Sequence, residues 1–179
     1  MPISIRACAS TFRRTLSVNM WMWNADQEPE TPFFDLGDNT ALVCVDHPQY
    51  QKVIVPQLID MTYKVHLGLY EEDVVLKLKT YNYDVVIVYE NFKGSTLQTN
   101  PILAELTNRP DAQRNQHFVI LLSHRFATND AMSAFVHSAD QVINITDLAN
   151  LKPVLRRGVT QHRELYNAFN EMLKSVQSL

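Results

Sequence analysis

Tyr83-Asp84-Val85-Val86-Ile87-Val88-Tyr89-Glu90-Asn91-Phe92 is the stretch whose reading decides this chain's fold. Residues 85–89 form an apolar run rich in β-branched side chains, entered from Asp84 and left through Glu90 and Asn91. A strand with one wet face alternates apolar and polar residues, so a run without alternation suits a strand covered on both faces. Such strands sit centrally in parallel α/β sheets, and ligands gather at their carboxyl ends. Any chemistry would therefore be done around Tyr89, Glu90 and Asn91.

Outward from this strand the chain keeps a regular rhythm. Residues 41–45 (Ala-Leu-Val-Cys-Val) make another buried-strand run, ending at Asp46-His47-Pro48. Residues 49–61 place Val53, Ile54, Leu58 and Met61 at helical spacing. Pro56 conflicts with that helix and predicts a kink or a late start. Residues 64–69 read as a second strand. Residues 71–81 read as a second helix, acidic at its start and lysine-rich at its end, as the helix dipole prefers. Asn100-Pro101 is a helix start, asparagine as cap and proline in the first turn, for a helix carrying Ile102, Leu103 and Leu106. Residues 117–123 form a fourth strand, Thr128 caps a short helix holding Met132, Phe135 and Val136, and residues 141–145 form a fifth strand. A helix from about 150 to 178 closes the chain. Strands alternating with helices in this way predict an α/β sandwich with a parallel sheet.

Composition narrows the class of function. The formal net charge of −3 offers no basic field for nucleic acid. No apolar run reaches the roughly 18 residues of a membrane span, and no signal peptide is visible. Cys8 and Cys44 have no framework spacing, so a reduced, cytoplasmic setting is the expectation. Residues 1–24 contain Arg6, Arg13 and Arg14 and no acid, whereas 25–40 carry Asp26, Glu28, Glu30, Asp35 and Asp38 beside Pro29 and Pro32. That shift predicts an N-terminal extension (1–24), an acidic linker (25–40) and a main domain (41–179). Residues 3–6 and 16–19 alternate like the strands of a hairpin, and Trp21 and Trp23 follow with the same period of two. Ile5-Arg6-Ala7-Cys8 resembles the first knuckle of a zinc ribbon. With one cysteine left there, no structural zinc site is available.

From 39 to 178 the chain resembles the receiver domain of bacterial response regulators. The resemblance is carried by Asp46-His47-Pro48 after the first strand, Glu71-Glu72-Asp73, Tyr83-Asp84, and Ser138-Ala139-Asp140 before the last strand. It implies a flavodoxin-like, receiver-like three-layer sandwich with strand order 2-1-3-4-5. Receivers accept a phosphoryl group on an aspartate at the end of the third strand, beside a magnesium ion held by that aspartate and an acidic pair. Matched residue by residue, the acceptor position falls on Tyr89, or on Glu90 after a one-residue slip. The acidic pair falls on Asp46 and His47, the reporting hydroxyl on Ser123, the lysine on Ile145 and the switch aromatic on Val142. A phenol with a pKa near 10 is a poor nucleophile without an activating base, and magnesium prefers oxygen ligands. The resemblance thus implies a pseudo-receiver: no catalysis, no metal, no cofactor, and action through protein partners.

A second reading is a small enzyme or ligand- or metal-binding protein of flavodoxin-like architecture, using Asp46, His47 and His124 at the strand ends. No His-Glu-x-x-His, Cys-x-x-Cys or Gly-x-Ser-x-Gly accompanies those residues. The last helix supplies a different signal. Leu151, Leu155, Val159, His162, Tyr166, Phe169, Leu173 and Val176 recur close to every 3.5 residues. A helix of that length reaches about 40 Å, whereas a strand spans about 17–20 Å. The helix should overhang its own domain, leaving Tyr166, Phe169, Met172, Leu173 and Val176 to be covered. The cover is either the segment bearing Trp21 and Trp23 or a second subunit, which makes a homodimer the expected assembly. Gly158 within the helix allows a bend or a close approach.

Overall fold

The computed structural model describes residues 37–177, the side chains of 111, 112 and 169–177 excepted. The expected hairpin, Trp21, Trp23 and most of the acidic linker lie outside the described residues. The linker's last two residues belong to the sheet, because the first strand already begins at Asn39.

Five parallel strands, β1 (Asn39–Cys44), β2 (Tyr63–Leu67), β3 (Val85–Tyr89), β4 (Phe118–Ser123) and β5 (Gln141–Asn144), lie in the order β2-β1-β3-β4-β5. The central run is central in space as well: Val85 pairs with Ala41 on one side and Phe118 on the other. Alternation divides its side chains between two cores. Val85, Ile87 and Tyr89 join Ala41, Val43, Ile120 and Leu122 under α1 (Pro48–Asp60) and α6 (Leu151–Gln177). Val86 and Val88 join Leu42, Val119, Leu121 and Val142 under α2 (Glu71–Thr80), α3 (Pro101–Thr107) and α5 (Ala131–Val136). Each valine or isoleucine so buried contributes about 1.5–3 kcal/mol, which is why the run carries no polar residue.

The helices show where local signals held and where they did not. α1 starts at Pro48, not late, and runs through Pro56. Pro56 is exposed, so the carbonyl it leaves without a helical partner faces water. Asn100 caps α3 as expected, its Oδ1 accepting from the backbone N–H groups of Ile102 and Leu103. A four-residue helix, α4 (Asp111–Arg114), follows Pro110 and was not predicted.

Thr128 is not the cap of α5. Asp130 caps that helix, accepting from the N–H groups of Met132 and Ser133, while Thr128 donates its hydroxyl to Asp147. In this short helix only Ala134 is buried, and Met132, Phe135 and Val136 are exposed. A 3₁₀ segment (Ile145–Asn150) precedes α6, placing Pro153 in its first turn, where a missing N–H costs nothing. At Gly158 a Cβ would stand 2.6 Å from both Phe118 Cζ and Gln141 Oε1. Glycine is therefore required for α6 to approach β4 and β5.

Candidate functional site

The carboxyl edge of the sheet is built from the ends of β1, β3 and β4. Tyr89, the last residue of β3, points to the α1 and α6 face and is 9 % exposed. Its hydroxyl lies 3.2 Å from His124 Nε2, and its ring meets the rings of Tyr50 and His124 edge to face. His47 stacks on Tyr50 with ring centroids 4.3 Å apart. Burial, more than the neighbouring charges, raises the Tyr89 phenol above its ordinary pKa. Position 89, where the resemblance puts the acceptor, thus holds a protonated phenol closed in by aromatic rings.

The nearby carboxylates are both engaged. Glu90 follows Tyr89 and turns to the opposite face, where it is 2 % exposed. It accepts a 2.6 Å bond from the Ser123 hydroxyl and a 2.8 Å bond from the His124 backbone N–H, and its own N–H donates to Leu122. Tyr89 pairs with Leu122 in register, so the strand carries the phenol, and not Glu90, toward His124. Ser123 is fully buried and also accepts from the N–H of Arg125.

Asp46 accepts the backbone N–H of Lys93 at 3.0 Å. That residue has a left-handed backbone (φ +54°), and its ammonium lies 5.0 Å from the Tyr70 ring centroid. Asp46 therefore holds the β3–α3 connection in a conformation that a lysine seldom adopts. Asn91 opens the turn Phe92–Gly94, its carbonyl accepting from Gly94. Ile145 packs on the α1 and α6 core, and Val142 is fully buried. Neither can reach a phosphoryl group as a lysine or an aromatic switch would.

The donor set does not fit the magnesium ion that the fold family implies. Among the described residues no three His, Cys, Asp or Glu side chains converge on a point. Asp46 is paired with a backbone amide, His47 offers nitrogen to a cation that selects oxygen, and Glu90 is turned away. Of the Asp46, His47 and His124 trio of the enzymatic reading, Asp46 accepts from Lys93, whereas His47 and His124 both meet the Tyr50 ring.

Two parts of the edge were missed from sequence. Tyr50, which joins His47, Tyr89 and His124 into one cluster, lies three residues beyond His47 on the first turn of α1. That spacing was the available signal. Asn100 also ties α3 to the edge, its Nδ2 donating to the Tyr89 carbonyl at 3.1 Å. No sequence signal announced that bond. Cys44, fully buried, has its thiol pKa pushed up by burial and is unreactive there.

A different surface lies at the β5 border of the sheet. A groove of about 330 Å³ runs between α5 and α6, lined by Asn129, Gln141, Gln161, Leu165 and Tyr166 among others. The Val142 carbonyl and the Asn144 N–H, which face away from β4, are bonded to the Asn129 N–H and the Thr128 hydroxyl. The outer edge of the strand is thus covered by its own chain. Among the described residues no helix is long and apolar enough to cross a membrane.

No family model matches the chain, and no curated protein does. Solved structures do match. The receiver domain of the Francisella response regulator 1452 is 14 % identical, with a TM-score of 0.55, covering 69 % of this chain and 98 % of that one. A receiver domain of a Pseudomonas aeruginosa sensor histidine kinase, with magnesium coordinated in its active-site cleft, is 18 % identical at 0.55, with the same coverage. A protein fused to a trimeric coiled coil of yeast Spc42 is 15 % identical at 0.58, covering 80 % of this chain and 93 % of that one. The domain therefore has the receiver fold.

Proposed function

We propose that this chain is a receiver-like module of bacterial signal transduction that works by protein–protein contact and without phosphoryl transfer. The observation that carries the reading is the acceptor position itself, a buried phenol hydrogen-bonded to His124. A phenol whose pKa is raised by burial presents no nucleophile near neutral pH, and no carboxylate stands in its place. The receiver fold of the solved neighbours supports a signalling role, and fold alone does not prove one. On this reading the module is cytoplasmic and non-enzymatic, and its partners are proteins, a second copy of itself among them. The match to a structure fused to a coiled coil extends over more of this chain than the matches to isolated receiver domains. That agrees with a long helix serving in assembly.

The test is titration with beryllofluoride and magnesium, and with acetyl phosphate, followed by calorimetry and intact mass. Neither saturable uptake nor an added phosphoryl mass is expected. A stoichiometric, magnesium-dependent label on Glu90 or Asp46 would sink the reading.

A further inference from the structure

The amino edge of the sheet, at the far end from Tyr89, holds a cleft of about 510 Å³. It lies between the carboxyl-terminal ends of α2 and α3 and the segment that enters β4. Small-molecule sites usually measure roughly 300–1,000 Å³. Apart from Leu78 and Pro110, every lining side chain is polar or charged, with Lys79, Asn82, Glu105, Asn108 and Arg109 among them. An apolar ligand would strand those groups, so an occupant must itself be polar.

Arg109 is the second observation. Its side chain is 9 % exposed. Nη1 donates to His117 Nε2 at 2.9 Å and Nη2 to the Leu78 carbonyl at 2.7 Å, which fixes the guanidinium in one orientation. Nε is buried and has no hydrogen-bond partner. Glu105, one helical turn back, keeps Oε1 3.9 Å from Nη2, too far for a hydrogen bond. Arginine stays charged at any ordinary pH, so the cleft is walled by a buried cation with an unspent donor. Incomplete pairing of a buried charge is costly, and a ligand that completes the pairing removes the cost.

Nε and Nη2 form the edge of the guanidinium that takes a carboxylate side-on. The cleft nevertheless carries both signs. Lys79 and Arg109 stand against Glu105 and the carbonyl ends of α2 and α3, which favour cations. A plain anion meets repulsion there as well as attraction, whereas a zwitterion finds a partner for each of its charges. We propose that this cleft binds a free polar α-amino acid. The carboxylate of the ligand takes the Nε and Nη2 edge of Arg109, its ammonium takes Glu105, and its side chain meets the amide walls. An α-amino acid carries both charges about one carbon, and so bridges the 3.9 Å between Nη2 and Glu105 Oε1. Nε is out of water's reach as the cleft stands, so the second bond of the pair forms as the lining side chains shift.

Calorimetric titration of the full chain with L-glutamine, L-asparagine, L-serine and L-glutamate should show saturable binding of at least one of them, one ligand per chain. Removing either charge of that amino acid, by N-acetylation or by amidation of its carboxyl group, should weaken binding roughly tenfold or more. Glu105→Gln should weaken the free amino acid by a similar factor and leave the N-acetylated form no weaker, a split that general loss of structure cannot produce. Arg109→Lys keeps the charge but loses the fork, and should weaken both. Arg109 also braces His117 and α2, so Glu105→Gln decides the matter if that variant fails to fold. No saturable uptake of any of the four, or equal affinity for the N-acetylated form, would overturn the inference. Inorganic phosphate binding more tightly than the amino acids would overturn it too, leaving a simple anion site. The cleft and Tyr89 lie at opposite edges of the sheet. A failure here leaves the proposed function standing, and beryllofluoride uptake would sink that function without touching this site.

Discussion

The carboxyl edge of the sheet and the α5–α6 border are finished in opposite ways. At the edge, Asp46, Glu90, Ser123 and His124 each hold a hydrogen bond inside the domain, and aromatic rings close over Tyr89. At the border, four large apolar side chains have more than 60 % of their surface in water. A satisfied polar site has little left to give a ligand, whereas exposed apolar area gains free energy whenever it is covered. The contrast teaches that the edge is satisfied within the domain, whereas the face still has apolar area to cover.

The harshest way to break that contrast is Gly158→Val. The added side chain would strike Phe118, which is buried and cannot swing away, and would push α6 off β4 and β5. We expect a loss of about 2–3 kcal/mol in denaturant unfolding. The rings around Tyr89 should stay packed in near-ultraviolet circular dichroism of the molecules that remain folded. A neutral result would mean that the close approach is not needed.

Glu90→Ala sharpens the comparison from the other side. It strands the Ser123 hydroxyl and the His124 N–H in a buried site, and should cost about 2–3 kcal/mol. Glu90→Gln, which keeps one accepting oxygen, should cost less. Equal losses for the two variants, measured by urea titration, would show that the carboxylate is not held as described.

The smallest effect is a pH dependence that arises at the opposite end of the sheet. His117 is fully buried, donates from Nδ1 to the Tyr83 carbonyl and accepts at Nε2 from Arg109. That pairing fixes the neutral form, and burial lowers its pKa. His162 is lowered for the same reason, against the opposing pull of Asp140. With folded pKa values below the unfolded value near 6.5, the unfolded chain binds more protons as pH falls through that point. Stability should be full above about pH 7 and decline progressively below 6.5. His117→Asn should flatten part of the decline, and an unchanged profile would remove His117 as its source.

Much of this was legible from residue order. The unbroken run 85–89 identified a doubly covered strand, and Asn100-Pro101 marked a helix start. The reading failed at Thr128. Threonine and aspartate cap by the same chemistry, and two candidates two residues apart differ by which one the tertiary structure engages elsewhere. Here Asp147 takes the threonine hydroxyl.

By itself, then, the order of residues determined the five strands, most of the helices between them and the parallel sheet, because periodicity and residue chemistry are local properties. Only the tertiary structure decided that Glu90 turns inward to Ser123, that Tyr50 closes over Tyr89, and that α5 shows its large side chains to water. Those outcomes depend on register between strands and on which of several equivalent partners lies within about 3 Å, and chain neighbours carry no record of either.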